Sequence, residues 1–189
     1  MSCSLKNAGL AIICFLSLTI AGYSADTPND IDWVRIEQQL YEDLSGQGRG
    51  EAEIEEAIGH ALLMSDNQAE RATVHLKRAV ELDPKRYVAW YDLALINMGS
   101  EEGNGYFKKS TEANPNFAPS WYWLGYNSVR DGKDSEAVDY FEHYFKVASG
   151  EEESGRIKVA TAVLEELRSG KPGPETAKIR PLGMGTHEG

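Results

Sequence analysis

Cysteine is nearly absent from this 189-residue sequence, which has only Cys3 and Cys14, both within its first 24 residues. The remainder of the chain can form no disulfide, offers no thiol nucleophile and supplies no thiolate ligand for a metal. It must therefore be stabilised without covalent cross-links. The sequence also lacks a Gly-x-Ser-x-Gly elbow, and its glycine-rich run Gly46–Gly50 does not have the spacing of a phosphate-binding loop.

Basic residues are few. The chain has 19 Lys and Arg against 30 Asp and Glu, a formal net charge of −11. Such a chain repels nucleic acids and anionic lipid surfaces at long range, so we expect no nucleic-acid partner. Strong acidity also keeps a protein soluble, and for that reason it does not by itself identify a partner.

Histidines are few as well, and none forms a pattern typical of a metal site. His60 and His143 lie within predicted helices without a second histidine at ligand spacing, and His187 lies near the end of the chain. Among thirty acidic residues, no pair stands out as a general acid and base. We predict no metal, no cofactor and no catalytic residue, and hence a protein that is not an enzyme.

No apolar run has the length of a membrane-spanning helix. The run Gly9–Gly22 has 14 residues, whereas a span needs about 20. It follows Lys6 and precedes a possible cut between Ser24 and Ala25, the order of a secretory signal. We predict that residues 1–24 are a signal peptide and that the mature chain is periplasmic or secreted with no stable membrane span. The alternative is an uncleaved N-terminal segment that anchors the protein.

The most informative pattern is an internal repeat. Residues 76–94 and 107–125 match at an offset of 31 residues, and Phe141 in a third, partial copy lies 34 residues beyond Phe107. A period in this range indicates stacked helical units. The identical positions in the first two copies are Lys77/Lys108, Glu81/Glu112, Pro84/Pro115, Trp90/Trp121, Tyr91/Tyr122 and Leu93/Leu124.

Each copy has the periodicity of two amphipathic helices. Trp121 and Leu124 share one helix face, Ala137 and Phe141 share the next, and Asp131–Gly132 separates the two helices. In the middle copy a helix is expected from about residue 87 to residue 98, followed by a return helix over 101–113. Two glycines near the start of that return helix, at 103 and 105, predict a frayed or late start.

These residues resemble the tetratricopeptide repeat, in which a tryptophan, two residues, leucine and a small residue precede an alanine, three residues and a large apolar residue. The matching motifs are Trp121-x2-Leu124-Gly125 with Ala137-x3-Phe141, Trp90-x2-Leu93-Ala94, and Ala72-x3-Leu76 with Pro84. The resemblance implies an all-α fold, a tetratricopeptide-repeat helical solenoid of about three helix pairs. The small residues would let paired helices approach closely, and the large ones would fill the space opposite.

The expected plan of the chain has five parts, since apolar periodicity also predicts flanking helices at 30–44 and 156–168. The last of the parts contains three prolines and little to bury, which is typical of disorder. The parts are a signal at 1–24, an N-terminal helix and linker at 25–50, three tetratricopeptide-like repeats at 51–150, a capping helix at 151–168 and a disordered tail at 169–189.

The resemblance also implies a binding surface, because the first helices of such repeats line a concave wall that binds peptides. We expect Trp90 and Trp121 to lie in the core instead. Matching register predicts a protein-binding wall of Tyr91, Leu95, Met98, Tyr122, Tyr126 and Arg130. The predicted function is a non-catalytic, exported scaffold or adaptor that binds a protein segment in this groove. The alternative is a constitutive structural subunit of a cell-envelope complex.

Overall fold

The computed structural model describes residues 32–65, 67–150, 153–171 and 173–180. All regular elements in these residues are α-helices, nine in number, and helices that adjoin in sequence pack in pairs. The predicted all-α class is confirmed. The predicted signal at 1–24 lies outside the described residues. None of the described helices combines the length and hydrophobicity that a bilayer crossing requires.

The helices belong to two compact units, Met1–Ile96 and Asn97–Gly189. In the first unit, α2 packs most extensively on α3, while α1 packs on α2 and α4 packs on both α2 and α3. Its core side chains, such as Ile58 and Leu76, are almost completely buried, and each contributes about 1.5–3 kcal/mol through apolar burial. The four helices are α1 (Trp33–Gly46), α2 (Glu51–Leu63), α3 (Ala69–Leu82) and α4 (Tyr87–Ile96).

In the second unit the main pair is α6 and α7. Helix α5 packs on α6, α8 packs on α7 and α6, and α9 packs on α8 and α6. The five helices are α5 (Glu101–Ala113), α6 (Ala118–Arg130), α7 (Asp134–Val147), α8 (Ser154–Ser169) and α9 (Pro174–Ile179).

Helix α5 starts earlier than its glycines predict. It begins at Glu101, because the Ser100 side chain accepts a hydrogen bond from the Gly103 N–H at 3.0 Å. Glu101 and Glu102 then place negative charge in the first turn, where the helix dipole favours it. The expectation of a frayed or late start is therefore wrong.

The segment at 169–189 is not disordered throughout. It contains α9, whose residue Ile179 is 9% exposed and belongs to the apolar core of the second unit. Pro174 suits the first turn of a helix, where no intrahelical partner is needed for its nitrogen. The prediction of disorder is wrong for α9, because one well-placed aliphatic side chain and a polar cap order a sequence of low overall hydrophobicity. Residues 181–189 lie outside the described residues.

The turns before α4 and before α6 have the same hydrogen bonds. Asp83 Oδ1 accepts from the Lys85 N–H and Asn114 Oδ1 accepts from the Asn116 N–H, each at 3.0 Å. The backbone angles agree as well, with φ −142° and ψ 98° at Asp83 and φ −143° and ψ 95° at Asn114. The 31-residue sequence repeat thus corresponds to a repeated local structure.

The tryptophan that follows each of these turns is part of the same arrangement. Trp90 Nε1 donates to the Pro84 carbonyl at 2.9 Å, and Trp121 Nε1 donates to the Pro115 carbonyl at 2.8 Å. Each bond ties the first turns of α4 or α6 back to the turn that precedes that helix.

Two helix pairs, α2 with α3 and α6 with α7, are each built around a glycine. A Cβ at Gly59 would lie 2.6 Å from Leu76 Cγ, and a Cβ at Gly125 would lie 2.8 Å from Phe141 Cδ1. In both pairs the large side chain occupies the space that a side chain would otherwise need. The predicted contact between a small and a large residue is therefore present at Gly125, and it recurs at Gly59, which the repeat alignment did not single out.

Candidate functional site

The predicted wall residues fall in both units. Tyr91 and Leu95 are half-buried on α4 of the first unit. In the second unit Met98 is exposed in the turn before α5, and Tyr122, Tyr126 and Arg130 lie on α6. The three α6 residues can be compared directly, and they differ strongly in exposure.

Tyr122 is not part of an open wall. Only 7% of it is exposed, and its ring meets those of Phe141 and Tyr144 edge-on, at centroid distances of 6.2 and 5.6 Å. The Arg156 guanidinium lies 5.8 Å from the ring centroid. Burial raises the pKa of Tyr122. The prediction that Tyr122 lines an accessible groove is wrong, because α7 and α8 pack over its side of α6.

Trp121 shows the opposite deviation. It was expected in the core, but it is half-buried and its ring stacks on His143 at a centroid distance of 4.8 Å. Successive residues of a helix point about 100° apart, and the buried face of α6 includes Tyr122 together with Gly125 and Val129, at spacings of three and four residues. The repeat pattern predicted the helix, and in the structure Tyr122 lies in the core while Trp121 packs against it and stays partly exposed.

A partly exposed stripe remains on α6, formed by Trp123, Tyr126 and Arg130, which we call the α6 stripe. These residues are spaced i, i+3 and i+7 and so share one helix face. The Trp123 and Tyr126 rings meet edge-on at 5.4 Å, and Arg130 Nε donates to Asp131 Oδ1 at 2.9 Å. Trp123 was missed by the sequence analysis, although its spacing from the other two would have identified it.

Buried hydrogen bonds join Tyr144, Glu153 and Arg156 next to the Tyr122 ring. The Tyr144 hydroxyl donates to Glu153 Oε2 at 2.7 Å, and Arg156 Nη1 donates to Glu153 Oε1 at 2.8 Å. Burial, followed by the hydrogen bond to Glu153, raises the pKa of Tyr144 well above its ordinary value. These hydrogen bonds tie α7 to the start of α8 and hold Arg156 over the Tyr122 ring.

The first unit has its own polar cluster, between α2 and α4. His60 Nδ1 lies 2.7 Å from Oδ2 of Asp92, which is only 1% exposed. The hydrogen bond to Asp92 raises the pKa of His60, although burial alone would lower it, and burial raises the pKa of Asp92. A buried carboxyl group costs stability unless it is paired, so this contact joins the two helices.

Glu56 belongs to the same cluster. Its carboxylate accepts two hydrogen bonds from the Arg86 guanidinium, one from Nε at 3.1 Å and one from Nη2. It accepts a third from the Ala89 N–H at 3.2 Å. These bonds connect α2 to the turn before α4 and to the first turn of α4. Glu56 and His60 are therefore both paired with other groups of the chain and join α2 to α4.

Neither the acidic and histidine side chains nor the cavity of the described residues indicates a particular small ligand. No group of three His, Cys, Asp or Glu side chains in the described residues could hold a metal ion. A cavity of about 280 Å³ lies between α5, α6 and α7. Two cations and three carboxylates line this cavity, so its charge favours neither an anionic nor a cationic ligand. The charged lining residues are Lys108, Lys133, Glu101, Asp131 and Glu136.

One surface of α6 and α8 is covered by the segment 173–180, which we call the C-terminal strap. Glu166 on α8 caps it: Oε2 accepts from the Thr176 N–H at 2.8 Å and Oε1 from the Glu175 N–H at 3.0 Å. A Cβ at Gly173 would lie 2.2 Å from Glu166 Cδ, so a side chain there would displace the Glu166 carboxylate. Burial alone would raise the pKa of Glu166, but the hydrogen bonds from Thr176 and Glu175 lower it and outweigh burial.

The other end of the strap is attached by a cation. Arg180 Nε donates to the Val129 carbonyl at 3.3 Å, and Arg180 Nη2 pairs with Asp134. Ile179, next to it, joins the apolar cluster that includes Val129. The strap therefore bridges the end of α6 and the start of α7.

Comparison with known proteins adds no family. A scan against protein-family models finds no match, and a search of curated proteins finds none either.

Proposed function

We propose that this chain is a non-catalytic, exported helical-repeat protein of the tetratricopeptide kind, which binds a protein segment on the α6 stripe. The observation that carries the proposal is the stripe itself, an aromatic pair with an arginine on one partly exposed helix face. Aromatic and arginine side chains are the types enriched in binding hot spots. The identical turns at Asp83 and Asn114, together with the glycine-based helix pairs, support the repeat assignment.

The chemistry of the partner follows from charge. The whole chain carries a formal net charge of −11, and complementary potentials favour association with a basic or neutral segment. Aromatic rings accept both aliphatic side chains and cations on their faces. A segment that combines the two would suit the stripe.

Site-specific photocrosslinking tests this assignment. A photoreactive phenylalanine analogue replaces Tyr126 in cells of the source organism, and a second chain carries it at Glu142 on α7 as a control. We expect a discrete crosslinked species at position 126 that weakens when Arg130→Gln is added. Arg168→Gln, which removes an exposed arginine from α8, is the matched control and should leave the crosslink unchanged.

Absence of a crosslink at position 126, or equal crosslinking at 142, would contradict binding at the α6 stripe. Substitution of Tyr122 is unsuitable for this test because the residue is buried. Its replacement would destabilise the second unit, and lost binding would then have two explanations.

The second candidate is a constitutive subunit of a cell-envelope complex. It is favoured by large apolar side chains that remain exposed in the first unit, with Val34 63% and Val74 67% exposed. Permanent neighbours would bury such surface. Size-exclusion chromatography of native extracts separates the candidates, since a subunit elutes in a stable species of high mass and a transient adaptor elutes as the free chain.

A further inference from the structure

The C-terminal strap is held by few buried groups. Within it only Thr176 and Ile179 are buried, whereas α6 and α7 bury side chains in every turn. Segments with few buried contacts open at a lower free energy than the core that they cover. Gly170, with φ of +67°, and Gly173 lie before α9 and allow the backbone to change direction there.

The strap makes contacts of the kind that a bound peptide makes. It places one aliphatic side chain, Ile179, in an apolar cluster and the next side chain, Arg180, on a carbonyl and a carboxylate. The receiving groups, Val129 and Asp134, belong to α6 and α7 and not to the strap itself. The same face could therefore receive an equivalent pair of side chains from another chain.

We propose that the face of α6 and α8 beneath the strap is a segment-binding site, and that the strap is its built-in occupant. An incoming segment with an aliphatic residue followed by arginine displaces it. This proposal rests on the proposed function, that the protein binds protein segments, and it names the chemistry of the segment. The acidic chain favours the arginine of such a segment over long distances.

Binding of a synthetic peptide to full-length variants tests the proposal. The probe is a fluorescent, C-terminally amidated peptide of residues 173–180. The receiving chain carries Ile179→Asp with Arg180→Glu, or in a second variant Gly173→Ala, whose Cβ would overlap the Glu166 carboxylate. Both variants change the strap and leave the receiving face intact.

We expect saturable binding to both released variants, at least about tenfold tighter than to the unmodified chain, because a tethered occupant competes at high effective concentration. A peptide with Ile179→Asp and Arg180→Glu should not bind. The control variant Lys171→Gln changes an exposed residue before α9 and should bind the peptide with the same affinity as the unmodified chain. Circular dichroism confirms that each variant is folded, and Gly173→Ala serves if the double variant is not.

Equal binding to the unmodified and released chains would overturn the proposal, as would no binding to a folded released variant. The crosslinking experiment at Tyr126 distinguishes this failure from failure of the proposed function. If position 126 crosslinks but the peptide does not bind, only the proposed site beneath the strap is contradicted. If the peptide binds but position 126 does not crosslink, binding at the α6 stripe is contradicted.

Discussion

At the residue scale, two glycines set how closely paired helices approach. Gly59 and Gly125 lie opposite Leu76 and Phe141, and a Cβ at either glycine would come within 2.8 Å of a side-chain carbon. Core packing does not absorb an added methyl group without moving its neighbours. Gly105 on α5 differs, because a Cβ there would meet nothing within 4 Å.

Gly125→Ala should lower the free energy of unfolding by about 1–3 kcal/mol, because the new methyl group overlaps the Phe141 ring. Gly105→Ala is the matched control and should raise it by about 0.5–1 kcal/mol, since alanine is the better helix former. Urea denaturation measures both. If Gly125→Ala is as stable as the unmodified chain, close packing is not the reason for glycine at this position.

The pair His60 and Asp92 is the second residue-scale feature. The folded chain holds the His60 proton more tightly than its ordinary pKa of 6.5 implies. The stability that it contributes is therefore complete below about pH 6.5 and is lost as the pH rises through the folded pKa. Each unit of pKa difference corresponds to about 1.4 kcal/mol.

Asp92→Asn should lower the pKa of His60 and remove this part of the pH dependence, because it deletes the carboxylate at 2.7 Å. NMR titration of the His60 ring protons in the variant and in the unmodified chain measures the pKa. An unchanged His60 titration curve would show that Asp92 does not hold its proton.

At the element scale, the turns before α4 and α6 use the same cap. Asp83 and Asn114 each accept one backbone N–H two residues ahead, through the oxygen that aspartate and asparagine have in common. The chemical difference between the two residues is therefore unimportant for the turn. The shared acceptor explains why the repeat tolerates either residue.

Asp83→Ala and Asn114→Ala should each cost about 1 kcal/mol of stability, one hydrogen bond apiece. The exchanges Asp83→Asn and Asn114→Asp keep the acceptor and should cost less than about 0.5 kcal/mol. Thermal or urea unfolding of the four variants provides the comparison. Large costs for the exchanges would mean that charge, and not the shared turn, determines the residue.

Glu166 holds the first turn of the helix in the C-terminal strap through hydrogen bonds from Glu175 and Thr176. Glu166→Gln should release the strap, so that trypsin cleaves after Lys178 about tenfold faster or more, the effect of losing a charged hydrogen-bond acceptor. Glu165→Gln on the same helix is the control and should leave the rate unchanged. An equal rate in both variants would rule out Glu166 as the cap.

Acid should release the strap in the unmodified chain too. The pKa of Glu166 is lowered below 4.5 in the folded chain. Its contribution is therefore present above about pH 4.5 and lost as the pH falls through the folded pKa. Hydrogen exchange of the Glu175 and Thr176 amides at acid and neutral pH measures this opening.

At the scale of the whole molecule, the number of cysteines in the recovered protein shows whether the predicted signal peptide has been removed. Both cysteines lie within residues 1–24, so removal of a signal peptide leaves a chain with none. If the predicted signal at 1–24 is removed, protein recovered from the source organism, denatured and reduced, should contain no titratable thiol. Two thiols per chain would show that the N-terminal segment is retained, as the membrane-anchor alternative requires.

Much of the fold could be predicted from periodicity, because helix-forming patterns are local. The apolar spacing and turn residues located the helix pairs, and the 31-residue offset identified the equivalent turns. The candidate site was less predictable. Exposure of Tyr122 depends on where α7 and α8 pack over α6, and α9 is held in part by the Glu166 carboxylate, ten residues before Thr176 in the chain.

The sequence by itself therefore determined the helical class, the repeated turns and the close approach at Gly125, because each follows from residues close together in the chain. Only the tertiary structure decided that Tyr122 is buried while Trp121 and Trp123 are partly exposed, and that the strap covers α6. Local periodicity gives the direction of a side chain within one helix. Whether that direction meets water or another helix is set by packing between distant segments.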